Sequence, residues 1–246
     1  MGLCGCAGAV DGGGCPCREA VRAGGGAPGD SGPQPITQRS DHRPVHALAG
    51  QSSREWAFER FERQVPDLPS EPTLGSRQNV ILAALTLSFL EALEADGIER
   101  GYAIELTGDV CWRFYQQWGQ GTRAATSLIT RDPVRRLRLS VNAFLTFPFG
   151  RPGYRFDDVL QSDGRSLDMQ RCPVADYLGS RGAGDLCAGS WCNLDYALAE
   201  MWGGTLERSG TLVTGASCCD FRFRVLANGE ARSGATPGRA LPMVSA

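Results

Sequence analysis

The chain contains no lysine. All 25 of its basic residues are arginines, and its two histidines, His42 and His46, both precede residue 51. From Gln51 onward it has neither an imidazole nor a lysine amine. That excludes a Ser–His or Cys–His couple, a Schiff-base lysine and histidine ligation of a metal in that stretch. Proton transfer there falls to Asp, Glu, Tyr and Cys. The net charge is only -2, which offers no basic face to nucleic acid or to an anionic membrane. No uninterrupted apolar run reaches the length of a membrane span. The opening MGLCGCAGAVDGGGCPC lacks the basic and apolar regions of a secretory signal. It starts Met1-Gly2 as a myristoylation site does, but Cys6 stands where Ser or Thr is needed. These absences point to a cytoplasmic protein with no nucleic-acid and no membrane partner. The ten cysteines then read as reduced thiols, not as a disulfide framework.

The organisation along the chain is asymmetric. Residues 1–50 are rich in Gly, Pro, Ser and Ala and carry few large apolar side chains, so they read as a disordered extension. Residues 51–226 read as one α+β domain, and 227–246 as a flexible tail. Ser52-x-x-Glu55 resembles a capping box at the start of the first helix. NVILAALTLSFLEALEADG is apolar on all sides in its middle, which predicts a central buried helix stopped at Gly97. A third helix is expected with Ala103, Leu106, Val110 and Phe114 on one stripe and Ile104, Cys111, Tyr115 and Trp118 beside it. Asp132-Pro133 opens a fourth.

After Gly150 the period changes to that of strands. YRFDDVLQ and RSLDMQRC flank Asp163-Gly164, which predicts a hairpin. Pro173 begins a helical turn, and Ser190 is the expected cap of a later helix. TLER and TLVT flank Ser209-Gly210, which suggests a second hairpin with Arg208 opposite Thr211. A last strand runs from Cys218 to Val225. The layout is thus N-terminal helices packed on a mostly antiparallel sheet, with one helix between the strands.

The segment from Arg171 to Arg224 concentrates the reactive residue types. Cys192 and Asp195 are three apart and share a helix face. Arg208 has the strand parity of Leu206, so it points to the apolar side and needs a partner there. Asp195, Asp176 or a substrate carboxylate are the candidates. Cys219 shares parity with Phe221 and Phe223. Cys172 precedes a proline that starts a helix, and Cys192 follows Ser190, so both thiols are expected near positive dipole ends. The bland alternative is that each cysteine simply packs as a small apolar side chain.

Cys172-Pro173, Leu186-Cys187, Cys192-x-x-Asp195, Leu206-x-Arg208-x-x-Thr211-Leu212, Gly215 and Cys219-Asp220-Phe221, taken in order, resemble the L-2-amino-thiazoline-4-carboxylic acid hydrolase family. The resemblance covers roughly residues 150 to 224. The same layout is more remotely similar to vinyl-reductase-type small-ligand-binding domains. The family resemblance implies a hydrolase that opens a small cyclic amidine to an N-carbamoyl-cysteine, without a cofactor. Cys172, Cys192, Asp195 and Cys219 are then the expected catalytic residues. Arg208, Asp176 and Thr211 are the expected contacts to a small anionic substrate. Two other readings stay open. One is a zinc site of Cys172, Cys192, Cys219 and Asp195. The other is a ligand-binding module without catalysis.

Overall fold

A computed structural model describes residues 51–226. The expected N-terminal extension with its cysteines and histidines, and the tail from 227, lie outside the described residues. Four helices come first: α1 (Gln51–Gln64), α2 (Leu74–Ala95), α3 (Arg100–Ile129) and α4 (Pro133–Thr146). Strands β1 (Arg155–Val159) and β2 (Gly164–Arg171) follow, then α5 (Pro173–Ser180). A continuous helical run comes next: α6 (Gly184–Leu186), a π-helical turn (Cys187–Trp191) and α7 (Cys192–Met201). The described chain closes with β3 (Gly204–Glu207) and β4 (Cys219–Val225). The class is α+β, as the sequence suggests.

The first helix ends are set by local chemistry. Thr73 Oγ1 accepts from the Ser76 N–H at 3.1 Å, and Ser76 Oγ accepts from the Thr73 N–H at 3.2 Å. This reciprocal cap starts α2 at Leu74. Gly97, at φ +81°, reverses the chain after it. By length and composition α2 could cross a membrane, but Val80, Ala83, Ala84, Leu90 and Leu93 are all buried inside this fold. Helix α3 buries Ala103, Leu106, Thr107, Cys111 and Tyr115, while Val110 and Phe114 are exposed. The buried face thus shifts from Ala103 and Leu106 of the expected stripe to Cys111 and Tyr115 of the row expected beside it. Small residues explain the shift, because they let helices approach. A Cβ on Gly119 would lie 2.8 Å from Leu198 Cδ2 and 2.9 Å from Met201 Sδ, so α7 packs directly on that backbone.

The sheet has the order β1-β2-β4-β3, antiparallel throughout. The Asp163-Gly164 hairpin forms as expected, with Phe156 opposite Met169 and Val159 opposite Ser166. The second hairpin does not form between TLER and TLVT. Leu212–Thr214 is a 3-10 turn, and β3 pairs instead with β4, with Leu206 opposite Phe223 and Glu207 opposite Arg222. Residues 208–218 thus form a long connection. Asp220 holds it down: its carboxylate accepts from the Ser209 N–H at 2.9 Å, the Ser209 hydroxyl at 2.6 Å and the Gly210 N–H at 3.0 Å. Asp220 is therefore a turn anchor.

Candidate functional site

A cavity of about 100 Å³ lies between the inner face of the sheet and the helices. A site needs about 10–15 Å³ per water, so this is room for a small ligand. Its walls are mostly aliphatic and aromatic, with Tyr115, Phe144, Phe149 and Trp191 among them. The polar groups that break this wall are few. They belong to Asp195, Arg208, Thr211, Cys172, Cys187, Cys192 and Cys219, while the hydroxyls of Tyr115 and Tyr154 are taken up by Asn79.

Arg208 points inward, as its parity with Leu206 predicts, and its side chain is only 2% exposed. Nη1 donates to Asp195 Oδ2 at 3.0 Å, and Nη2 donates to the Cys192 carbonyl at 3.1 Å. The guanidinium lies over the Tyr196 and Phe221 rings, 5.2 Å from each centroid. One donor, Nε, is buried without a hydrogen-bond partner, and so is the Tyr196 hydroxyl. Buried polar groups are normally paired. Burial raises the Tyr196 hydroxyl, and Arg208 lies close enough to favour its phenolate against that, but no well-aligned hydrogen bond closes Nε or the hydroxyl. Burial pushes the Asp195 carboxyl up to about 6, with Arg208 pulling the other way. Burial also opposes the charge on Arg208, but Asp195 and Cys192 more than offset it.

The thiols differ sharply. Cys192 is lowered from its ordinary value, first by the Cys187 thiol, against burial, and then by Arg208. Cys187 is raised, by that same contact and by burial. Their sulfurs are 4.0 Å apart. Burial pushes Cys219 up to about 12, although its sulfur accepts from the Leu212 N–H at 3.2 Å. Burial also raises Cys172, against the N–H groups of Ala175 and Val174 at the start of α5. Of these thiols, Cys192 alone is shifted toward the thiolate.

The dipole argument holds only for Cys172, the residue before Pro173 in α5. Ser190 does not cap a helix. Its hydroxyl donates to the Leu186 carbonyl within a run that begins at Gly184, so Cys192 lies inside a helix. Its thiolate is favoured by side chains instead. Asp176 is not brought to the cavity. It is 56% exposed and pairs with Arg171 Nε at 3.3 Å, beside the Arg171–Glu71 pair. Thr211 does line the cavity, with its hydroxyl 3.2 Å from Thr214 Oγ1. The zinc alternative does not assemble: among the described residues no three Cys, His, Asp or Glu side chains are grouped to hold a metal ion. Cys219 is instead engaged by Leu212, and Asp195 by Arg208.

Sequence reasoning gave too little weight to Cys187 and missed Tyr196. A spacing of five is out of phase with an α-helix, so Cys187 and Cys192 look unrelated until the π-turn is seen. It also missed a buried chain in which Tyr115 donates to Asn79 Oδ1 at 2.9 Å and Asn79 donates to the Tyr154 hydroxyl at 2.8 Å. No local pattern announces that chain, because its members are 36 and 75 residues apart.

The model of the L-2-amino-thiazoline-4-carboxylic acid hydrolase family matches residues 81–223, more than half of the chain. The chain belongs to that family. Every residue that lines the cavity falls within the matched span. Membership of the thiazoline-carboxylate hydrolase family points to a hydrolase acting on a small molecule. Comparison with curated proteins and with solved structures gave no match.

Proposed function

We propose that this protein opens a small cyclic amidine of the 2-aminothiazoline-4-carboxylate type, with Cys192 as nucleophile and Asp195 as the proton-transfer group. One observation carries the reading. Arg208, buried in the wall of a mostly apolar cavity, donates to the Asp195 carboxylate and to the Cys192 backbone carbonyl, and its charge helps to favour the Cys192 thiolate. The Cys192 thiolate adds to the amidine carbon of the protonated ring. The ring C–S bond then breaks, and the ring sulfur leaves as a thiol, taking a proton from Asp195. An isothiourea is left on Cys192. Water, losing a proton to Asp195, adds to the same carbon. The Cys192 thiolate departs and a ureido acid with a free thiol remains. One water is consumed and no electrons are transferred. A carboxyl whose pKa lies near 6 suits both proton transfers.

The substrate carboxylate meets Arg208 through Nε, beside Thr211. Family kinship fixes the substrate less firmly than the fold, so the test spans a panel of cyclic amidines. Cys172 and Cys219, with raised pKa values, line the cavity as weaker nucleophiles. Cys192 must be a free thiol for this chemistry, as it is here along with Cys172, Cys187 and Cys219, and a reducing, cytoplasmic setting suits that requirement.

The test is incubation of the full chain with 2-aminothiazoline-4-carboxylate and related cyclic amidines, followed by titration of the released thiol. The expected result is turnover in wild type, loss in Cys192→Ala, and a mass adduct on Cys192 that accumulates in Asp195→Asn. Saturable binding with no ring opening across the panel would overturn the proposal in favour of a binding module. Full activity in Cys192→Ala would remove Cys192 from the mechanism.

A further inference from the structure

We infer that Cys187 and Cys192 form a redox-active dithiol that closes reversibly to a disulfide on exchange with a small-molecule disulfide. The π-helical turn Cys187–Trp191 lies between them. In an α-helix, positions five apart diverge by about 140° around the axis. In a π-turn the hydrogen bond spans five residues, so those same positions stack. The Cys192 N–H indeed bonds to the Cys187 carbonyl. This one turn brings the two sulfurs to 4.0 Å, with both residues in the cavity wall. A disulfide needs about 2.05 Å, a closing movement within reach of side-chain rotation.

The two residues also differ in overall exposure. Cys192 is partly exposed and Cys187 is buried beside it. The Cys192 thiolate attacks one sulfur of the external disulfide, forms a mixed disulfide and releases the first thiolate. Cys187, losing its proton to solvent, attacks the Cys192 sulfur and releases the second. The external disulfide gains two electrons and two protons and leaves as two thiols, and the protein loses two hydrogens. The lowered pKa of Cys192 fits its role as the first attacker. Cys219 is the less suited partner, because its sulfur is held by the Leu212 N–H.

The inference rests on the π-turn and does not need the hydrolase reading. Cleavage after Arg181 and Arg208 leaves Cys187 and Cys192 in one peptide with no third cysteine. The experiment treats the full chain with oxidised glutathione, blocks free thiols, digests with trypsin and maps the peptides by mass. The expected result is that peptide 182–208 loses two hydrogens and regains them with reductant. Cys187→Ala is expected to hold a persistent glutathione adduct on Cys192. A lasting adduct on Cys192 of the wild type, a link from Cys192 to Cys172 or Cys219, or no reaction at Cys192 overturns the inference. If the variant fails to fold, the wild-type map still decides.

Discussion

Two ion pairs on the sheet side of the molecule are built in opposite senses. In Arg208–Asp195 the arginine is the hidden partner, at 2% exposure against 25% for the aspartate. In Arg222–Asp168 the aspartate is hidden, at 4% against 25% for the arginine. The second pair is fully satisfied. Arg222 donates to Asp168 at 2.6 Å and also to the Leu167 and Phe221 carbonyls. The first leaves Arg208 Nε without a partner and faces the cavity. A closed network on the sheet holds strands together. An unfinished one in a cavity wall leaves a donor for the proposed substrate carboxylate. The hidden member also matters chemically, because an aspartate can neutralise itself by protonation and an arginine cannot.

That asymmetry predicts the largest effect. Asp195→Ala leaves a permanently charged arginine buried and unpaired, and should cost about 3–5 kcal/mol in urea unfolding. Adding Arg208→Met in the same chain should recover most of the loss, since the buried charge is gone. Asp168→Ala should cost less, because Arg222 keeps two carbonyls and can turn toward water. Equal losses at Asp195 and Asp168 would break the comparison.

The next effect is a pH dependence. Burial raises Asp195 to about 6 in the folded state, against an unfolded value of about 3.9. The fold therefore binds more protons than the unfolded chain across that window. The stability from this group is fully present below pH of about 4 and is lost as pH rises through about 6. A shift of about two units corresponds to about 3 kcal/mol. The stability of wild type minus that of Asp195→Asn, measured across this range, should fall as pH rises. A difference that is flat with pH would place Asp195 in an ordinary solvated state.

Much of this arrangement can be read from the sequence, and the limits have physical causes. The Asp163-Gly164 hairpin is legible because turn chemistry is local. The inward aim of Arg208 and the shared face of Cys192 and Asp195 follow from strand and helix periods. The partner of β3 is not legible. TLVT lies nearest in sequence, but β4 offers Phe223 opposite Leu206 and Arg222 opposite Glu207 after a long connection. The Cys187–Cys192 contact is hidden because it depends on one π-turn, which breaks the period that the eye applies. Asp176 drew attention as a carboxylate beside Cys172, yet the first turn of α5 turns it outward to Arg171.

The smallest effect sharpens the comparison most locally. Asp168 and Asp220 stand opposite each other in the β2–β4 register. One is buried under Arg222. The other reaches out to grip the turn that follows Arg208. Asp220→Ala removes three acceptor contacts from a half-buried turn and should cost about 1–2 kcal/mol, the scale of a lost side-chain cap. Its larger consequence is positional. Ser209 and Gly210 directly follow Arg208, so loosening them loosens the guanidinium while leaving both of its own partners, Asp195 and the Cys192 carbonyl, intact. Alkylation of Cys192 by a neutral reagent reads this out, because Arg208 helps to favour that thiolate. The expected result is a lower alkylation rate at neutral pH in Asp220→Ala and a restored rate at high pH, where the thiolate forms unaided. An unchanged rate at neutral pH, with the stability loss still present, would show that Asp195 and the strand alone hold Arg208 in place, and that the turn serves only the fold.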